Sequence, residues 1–385
     1  MSDEITENEG QEALDGETIQ SEIEVSASPN VEFACEECGA DMTWDPASDA
    51  LSCEFCGHKV EVPRGEGLIV ERKLDEAPDV ERGLGLKLRV ANCNSCGARV
   101  TFDEKATADI CVYCGSANVL AQEANRNSIR PESLVPLDIS HGEVTENFKK
   151  WVKGLWFRPN ALKQTKKFQA VGIYVPYWTF DAKVHSDWSA DAGYYYYVTQ
   201  TYTTMVNGKM VVRTRQVRKV RWRPAWGKRD DHFDDHLTHA SSGQPADLVR
   251  ELGRFDTSEL VPYKPAYLAG WHAEEYSVDL EEGWVQAQKE IGRIQEERCS
   301  GDVPGDTQRN LRVQNFLSEI RWKHVLLPIW SLQYKLHGKV FTVLVHGQSG
   351  KVVGNAPYSW IKITLFSLIV LGLVAGGFAV FGAAQ

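Results

Sequence analysis

No lysine or arginine occurs in the first thirty residues, although nine carboxylates do (Asp3, Glu4, Glu7, Glu9, Glu12, Asp15, Glu17, Glu22 and Glu24). That absence excludes the cationic start of a secretory signal peptide, and no apolar core follows where one would be needed. It also makes the acidity a property of a tail: of the net charge of −11 on 385 residues, only −2 remains for everything after residue 30. A stretch so poor in apolar side chains cannot bury enough surface to offset its ordering entropy, so residues 1–30 are predicted to be a disordered acidic tail. A P-loop is missing too. Gly347-Gln348-Ser349-Gly350-Lys351 has the wrong spacing and precedes a strand pattern, which makes it a hairpin turn and leaves no NTPase or helicase motif. No nucleophile, base and orienting group stand together, and Cys299 is alone without a nearby histidine. The chain therefore reads as non-enzymatic, with no small-molecule substrate.

Charge is likewise absent at the other end. Ile363 to Ala384 carry none, and twenty-two residues at ~1.5 Å each reach ~33 Å, enough for a ~30 Å hydrocarbon layer. Residues 361–385 are thus expected to form one C-terminal transmembrane anchor. Lys351 and Lys362 precede the span and only Gln385 follows it, so the positive-inside rule predicts a single-pass, tail-anchored protein of the cell membrane with its N-terminal bulk in the cytoplasm.

What is present is cysteine in a fixed pattern. Cys35, Cys38, Cys53 and Cys56 form CEEC, fourteen residues and CEFC; Cys93, Cys96, Cys111 and Cys114 repeat the arrangement 58 residues later as CNSC and CVYC. Gly39-Ala40 recurs as Gly97-Ala98, Thr43-Trp44-Asp45 as Thr101-Phe102-Asp103, and Gly57 as Gly115. This is a duplicated module. A Cys-x-x-Cys turn followed by glycine brings two thiolates onto one ion and frees backbone amides to point at sulfur, and two such turns close a tetrahedral site. Two Zn(2+) ions are expected, in zinc ribbons at 31–64 and 89–122 joined by a linker at 65–88. A cytoplasmic setting argues against disulfides and the doubled, evenly spaced turns argue against a lone redox motif; iron in place of zinc stays open. Four thiolates leave no free coordination position, so the ions are staples and not catalysts. The first ribbon is acidic (Glu32, Glu36, Glu37, Asp41, Asp45, Asp49, Glu54), a poor surface for phosphate, and protein contact is the better expectation.

Residues 130–360 read as a duplicated α+β domain rich in antiparallel sheet. A strand with Val175-Pro176-Tyr177-Trp178 resembles a later one with Leu327-Pro328-Ile329-Trp330, and each follows a helix. The first helix, around Glu143 to Trp156, sets Val144, Phe148, Trp151, Val152 and Leu155 at helical spacing. The second, from Asp279 with Glu282 as a capping box, aligns Leu280, Trp284, Ala287, Ile291 and Ile294. A proline inside each strand predicts an edge or a bulge there. Tyr194 to Val206 and Lys209 to Trp222 flank Asn207-Gly208, a strong hairpin signal. The returning strand puts Lys209, Arg213, Arg215, Lys219 and Arg221 on one face opposite a tyrosine-rich strand. That face suits single-stranded nucleic acid, anionic headgroups or an acidic partner, but the plainer expectation is a solvated face with arginines stacked on tyrosines. In Asp231 to His239, His232, His236 and His239 would share one face of a helix; without the glutamate of an HExxH pattern, a polar helix start is the plainer reading.

The doubled CxxCG turns, the VPYW and LPIW strands, the GQSGKVVG turn and the terminal apolar run together resemble a family of bacterial zinc-ribbon membrane proteins, over residues 31–385. Its members are often labelled primosomal protein N′ or helicase-like, or transcription-factor-IIB-type ribbon proteins. Some look like companions of phage-shock and SPFH-type membrane scaffolds, which implies a partner of that kind and a role in membrane stress. The expected function is a membrane-anchored adaptor whose ribbons recruit a cytoplasmic protein. The alternative is nucleic-acid binding through the basic hairpin.

Overall fold

The computed structural model describes residues 33–383 apart from 66, 85–87, 104–109, 118, 124–127, 161–167, 207–208, 242–245 and 337–338. The acidic tail and the Asn207-Gly208 turn lie outside the described residues. Each cysteine module is a three-stranded antiparallel sheet. In the first, β2 (Ala50–Cys53) lies between β1 (Met42–Asp45) and β3 (Lys59–Glu61). In the second, β5 (Leu88–Cys93) lies between β6 (Arg99–Asp103) and β7 (Val119–Glu123). Between the modules runs β4 (Arg72–Lys73), and after them β8 (Ser133–Leu134).

The main sheet is built on two long strands, β9 (Phe168–Val206) and β13 (Thr307–Leu336), paired antiparallel. Outside β9 lies β10 (Lys209–His239), and outside β13 lie β14 (Lys339–His346) and β15 (Val352–Gly354). Short β11 (Val261–Pro262) pairs β8, and β12 (His272–Ala273) runs parallel to β9. Helix α1 (His141–Gly154) precedes β9 and α3 (Leu280–Asp302) precedes β13; α2 (Ala246–Leu252) follows β10, and α4 (Trp360–Ala383) ends the chain. A capping box forms at α1, between Ser140 and Glu143, while Asp279 occupies the N-cap of α3 without a side-chain cap bond.

Successive strand residues face opposite sides, and here both sides are covered. Ala170 and Tyr174 of β9 with Leu326, Trp330 and Tyr334 of β13 meet Val144, Phe148 and Val152 of α1 and Met42, Trp44 and Leu51 of the first module. Ile173, Val175 and Tyr177 with Val325, Leu327 and Ile329 meet Leu248 and Leu252 of α2 and Val100, Cys111 and Tyr113 of the second module. The duplicated modules therefore clamp the sheet from opposite faces. Farther along, Leu280, Ala287 and Ile291 of α3 cover Trp178, Phe180, Ala182 and Val184.

Both proline expectations need correction. Pro176 and Pro328 sit in the two central strands, not at an edge. On β9 the outer partner changes there from β10, which ends at His239 opposite Tyr177, to β12, which starts opposite Ile173. On β13 it changes from β8, opposite Val325 and Leu326, to β14, which ends at His346 opposite Ile329. Each proline occupies the gap between two neighbours, where a missing N–H breaks no ladder bond. The bulges lie elsewhere, at Phe233/His236, Arg309/Arg312 and Ser318/Arg321, with Asp235, Asn310 and Glu319 at φ 49, 56 and 52. The His232–His239 stretch is likewise strand and not helix, so the three histidines share no helical face: they oppose Lys183, Phe180 and Tyr177.

The fold-class expectation is corrected as well. The molecule is predominantly β-sheet with helices as covers, and among the described residues no helix is long and apolar enough to cross a membrane. The start of α4 is instead docked onto the segment after α1: Lys362 Nζ donates to Arg158 O (2.8 Å) and Asn160 Oδ1 (2.7 Å), and Phe366 meets Phe157 edge-on at 5.3 Å. The C-terminal transmembrane helix does not hold, and the cell-membrane, single-pass localisation with a cytoplasmic bulk loses its basis.

Candidate metal centres

Four turns of one design build the two tetrads. In each, the glycine after the second cysteine has a left-handed backbone, at φ 72 (Gly39), 75 (Gly57), 80 (Gly97) and 68 (Gly115), a conformation that costs glycine little and other residues more. Its N–H donates to the carbonyl of the first cysteine at 2.8–2.9 Å, for Cys35, Cys53, Cys93 and Cys111 in turn. The first cysteine's own N–H donates to Ala40, His58, Ala98 or Ser116, at 2.7 Å for Cys35 and 2.9 Å for the others. The sulfurs converge as a result. Cys35 Sγ stands 3.5 Å from Cys56 Sγ and Cys38 Sγ 3.5 Å from Cys53 Sγ; the matching pairs Cys93/Cys114 and Cys96/Cys111 are at 3.6 Å. Within each tetrad all four ligand atoms lie within 4.8 Å of one another, so each can hold a metal ion.

Within each tetrad one thiol is favoured as the thiolate, while Cys38, Cys56, Cys96 and Cys114 are raised by their neighbouring thiols and by burial. The backbone amide of Cys56 is the main influence that brings the Cys53 thiol down to about 6, against the opposing effect of burial. A hydrogen bond from the Cys96 thiol does most to bring Cys111 down to about 5, with the amides of Cys114 and Tyr113 adding to it. The two tetrads differ in access. Cys35, Cys53, Cys93 and Cys111 are buried in both, but Cys38 and Cys56 are exposed where Cys96 and Cys114 are half-buried.

Both modules grip a single segment, residues 265–276, that the sequence carried no motif for. On one side Trp44 N donates to Ala269 O (2.9 Å) and Trp271 Nε1 to Trp44 O (3.0 Å). Gly270 at φ 79 meets the Thr43 side chain where any Cβ would collide at 2.8 Å. On the other side Thr101 Oγ1 donates to Ala273 O (2.9 Å) and accepts from Ala273 N (2.9 Å). Tyr113 OH donates to the buried Glu274 carboxylate at 2.8 Å, and Arg99 pairs with Glu275 at 2.9 Å. The same residues that flank the metal turns thus dock the modules.

A third group of carboxylates, Glu71, Asp181 and Asp235, also converges. The buried Lys323 ammonium pairs with two of them, 2.6 Å from Asp235 Oδ1 and 3.1 Å from Glu71 Oε1. Burial alone lowers the Lys323 pKa, but the two carboxylates more than offset it and the net shift is upward. Burial pushes Asp181 up to about 6. This is an ion-pair network at the Phe233/His236 bulge, where Asp235 N donates to Asp181 Oδ1 (2.7 Å).

The basic hairpin takes the form expected of its plainer reading. β13 begins opposite Gly193, so from Tyr194 onward β9 and β10 continue as a two-stranded ribbon for ~40 Å at ~3.4 Å per residue. Tyr194 to Arg223 contains seven cations and no carboxylate, and among the described residues none of these cations forms an ion pair. Four of the five guanidiniums instead lie over a tyrosine displaced by two residues from the direct partner: Arg215 over Tyr202 at 5.5 Å, Arg218 over Tyr195 at 4.3 Å, Arg221 over Tyr196 at 5.4 Å and Arg223 over Tyr194 at 5.8 Å. A lone hairpin is marginal in water, and four such stacks at ~0.5–1 kcal/mol each stiffen it.

No family model matches the chain, and no solved structure matches it. A similar sequence is the uncharacterized protein YdjG of Bacillus subtilis (strain 168), 26% identical over 364 residues that cover 90% of this chain and 99% of the relative.

Proposed function

We propose that the protein is a non-catalytic adaptor in which two zinc-loaded cysteine modules brace a sheet, and the projecting basic ribbon captures an acidic protein surface. The observation that carries the reading is the charge segregation. A chain of net charge −11 presents seven unpaired cations on one two-stranded ribbon with no sheet neighbour. Such a surface steers an oppositely charged partner and specifies it by complementarity.

Zinc is supported by geometry. Four thiolates around an ion at Zn–S ~2.3 Å have tetrahedral edges of ~3.8 Å, close to the 3.5–3.6 Å sulfur separations. Residues Cys35, Cys38, Cys53 and Cys56 would hold one ion, and Cys93, Cys96, Cys111 and Cys114 the other. Each would supply folding stability and, with its coordination closed, no open position for chemistry. Because the inner faces of both modules are spent on docking, partner capture moves from the ribbons to the hairpin.

A second reading, single-stranded nucleic acid, is favoured by the alternation of Arg and Tyr along the ribbon. The guanidiniums already lying over four tyrosines weigh against it, since those ring faces are occupied. The test is affinity isolation from native cells with cross-linking to residues 194–223. A protein cross-linked there and lost from the Arg213→Glu/Arg215→Glu variant is the expected result. Retention of every partner by that variant overturns the reading, as does oligonucleotide binding with a steep salt slope that the variant abolishes.

A further inference from the structure

Where the first module meets the sheet, a cavity of about 310 Å³ opens between β1, the start of β9 and the N-terminus of α1. Its walls include Trp44, Trp271 and Trp330, with His141 beside them. Trp271 stands edge-on to Trp330 at 5.1 Å, and the His141 ring does the same at 5.8 Å. Gly172 keeps the floor open for Trp271, whose ring lies 2.3 Å from where a Cβ would stand. The formal charges in the lining are two carboxylates, Asp45 and Glu54, and no lysine or arginine is among the lining residues. Asp45 caps its own turn, accepting from Ala47 N (3.1 Å) and Ser48 Oγ (2.6 Å), with Lys59 Nζ at 3.8 Å. Glu54 has no ion-pair partner among the described residues.

One ring nitrogen adds an acceptor. His141 Nε2 is buried without a hydrogen-bond partner among the described residues, which is unfavourable for a buried polar atom; Trp44 Nε1–H, equally without a partner there, is a donor and takes no part in holding a cation. Burial holds the His141 pKa below its ordinary value, so the ring is neutral near pH 7 and does not repel a cation; with its proton on Nδ1, its Nε2 can accept a hydrogen bond from an ammonium. Aromatic walls, net negative charge and a neutral acceptor are the elements that recognise an organic cation through cation–π and carboxylate contacts. An anion would meet two carboxylates, and a neutral ligand would forgo both.

We infer that this seam cavity binds an alkylammonium group, carried either by a small amine or by a lysine side chain of another polypeptide. The reading is independent of the basic ribbon, which would repel the same ligand. To test it, the metal-loaded full-length chain with ¹⁵N-labelled indoles is titrated with n-butylammonium, with an N- and C-capped lysine, with the neutral alcohol n-pentanol, and with acetate. Saturable shifts of the Trp44, Trp271 and Trp330 indole signals are expected with the cations, with n-pentanol at least about tenfold weaker and acetate silent. Glu54 is exposed, so Glu54→Gln keeps the fold while weakening the cations several-fold and leaving n-pentanol unchanged. Tighter binding of capped lysine than of butylammonium supports a polypeptide source, and the reverse order supports a free amine. Absence of saturable shifts with both cations overturns the inference, as does equal affinity for n-pentanol or indifference of cation binding to Glu54→Gln.

Discussion

The two cysteine modules share their ligand spacing, their glycine turns and their sulfur geometry, yet they hold the same chain segment by different chemistry and from opposite faces of the sheet. The first docks through indole edges and close glycine packing, and leaves a cavity of about 310 Å³ with two unpartnered ring nitrogens. The second docks through hydrogen bonds from Thr101, Tyr113 and Arg99 to residues 273–275, and the space lined by Thr101 and His272 there measures about 30 Å³. Duplication has kept what the metal requires and let the seams diverge. The first seam is open to a ligand where the second is sealed.

The largest effect is expected from the metals. Structural zinc in small modules contributes on the order of 10–16 kcal/mol, so an excess of chelator should unfold both modules, but not together. The exposed Cys38 and Cys56 give a competing ligand access that the half-buried Cys96 and Cys114 do not. Release followed with a chromophoric chelator should be biphasic, and Cys38→Ser should remove the fast phase alone. One shared phase, or loss of the slow phase in Cys38→Ser, would show that the difference in burial has no kinetic meaning.

Acid should act next, through the buried histidines. His272, within the second seam, donates from Nδ1 to Thr101 O (2.9 Å), and burial lowers its pKa. His324, 3% exposed, is brought down to about 4 by burial. A histidine with a folded pKa below its unfolded value of ~6.5 binds fewer protons when folded, so its stability is complete above pH 6.5 and is lost as pH falls toward 4. For His324 the loss amounts to ~3 kcal/mol. Denaturant midpoints at pH 7 and pH 4.5 should differ accordingly, and His324→Gln should flatten that slope; an unchanged slope would remove His324 from the acid response.

Much of this was legible in the sequence, and the limits have physical causes. The grouping of eight cysteines into two tetrads that can hold a metal, the hairpin and the helix stripes at Val144, Phe148 and Val152 follow from local spacing, which short-range geometry enforces. The prolines misled because an edge is only one place where a ladder bond is dispensable; Pro176 and Pro328 sit where one neighbour ends and another begins, a fact about other parts of the chain. His232, His236 and His239 fit a helical period by spacing alone, but the partner strand and the Asp235 bulge decide the conformation there. The apolar run at the C-terminus met the length criterion, while the contacts of Lys362 and Phe366 with the segment after α1 could not be read from composition. Residues 265–276 carry no periodicity or motif, so the segment on which both modules dock became visible only with the fold.

The finest test of the contrast uses two residues that the 58-residue repeat makes equivalent. Thr101 is 1% exposed, and its hydroxyl serves Ala273 twice, as donor to the carbonyl and acceptor from the amide. Thr43 is half-buried against Gly270 and lines the cavity, and among the described residues its hydroxyl has no hydrogen-bond partner. Valine matches threonine in shape, so each substitution removes a hydroxyl and little else. Thr101→Val leaves a buried amide and carbonyl without partners and should cost ~2 kcal/mol, whereas Thr43→Val should fall within ~0.5 kcal/mol. Paired denaturant titrations of the metal-loaded variants read the difference directly. Equal costs would mean that the two seams are chemically alike despite their contacts, and a larger cost for Thr43→Val would reverse the assignment of which seam is sealed by hydrogen bonds.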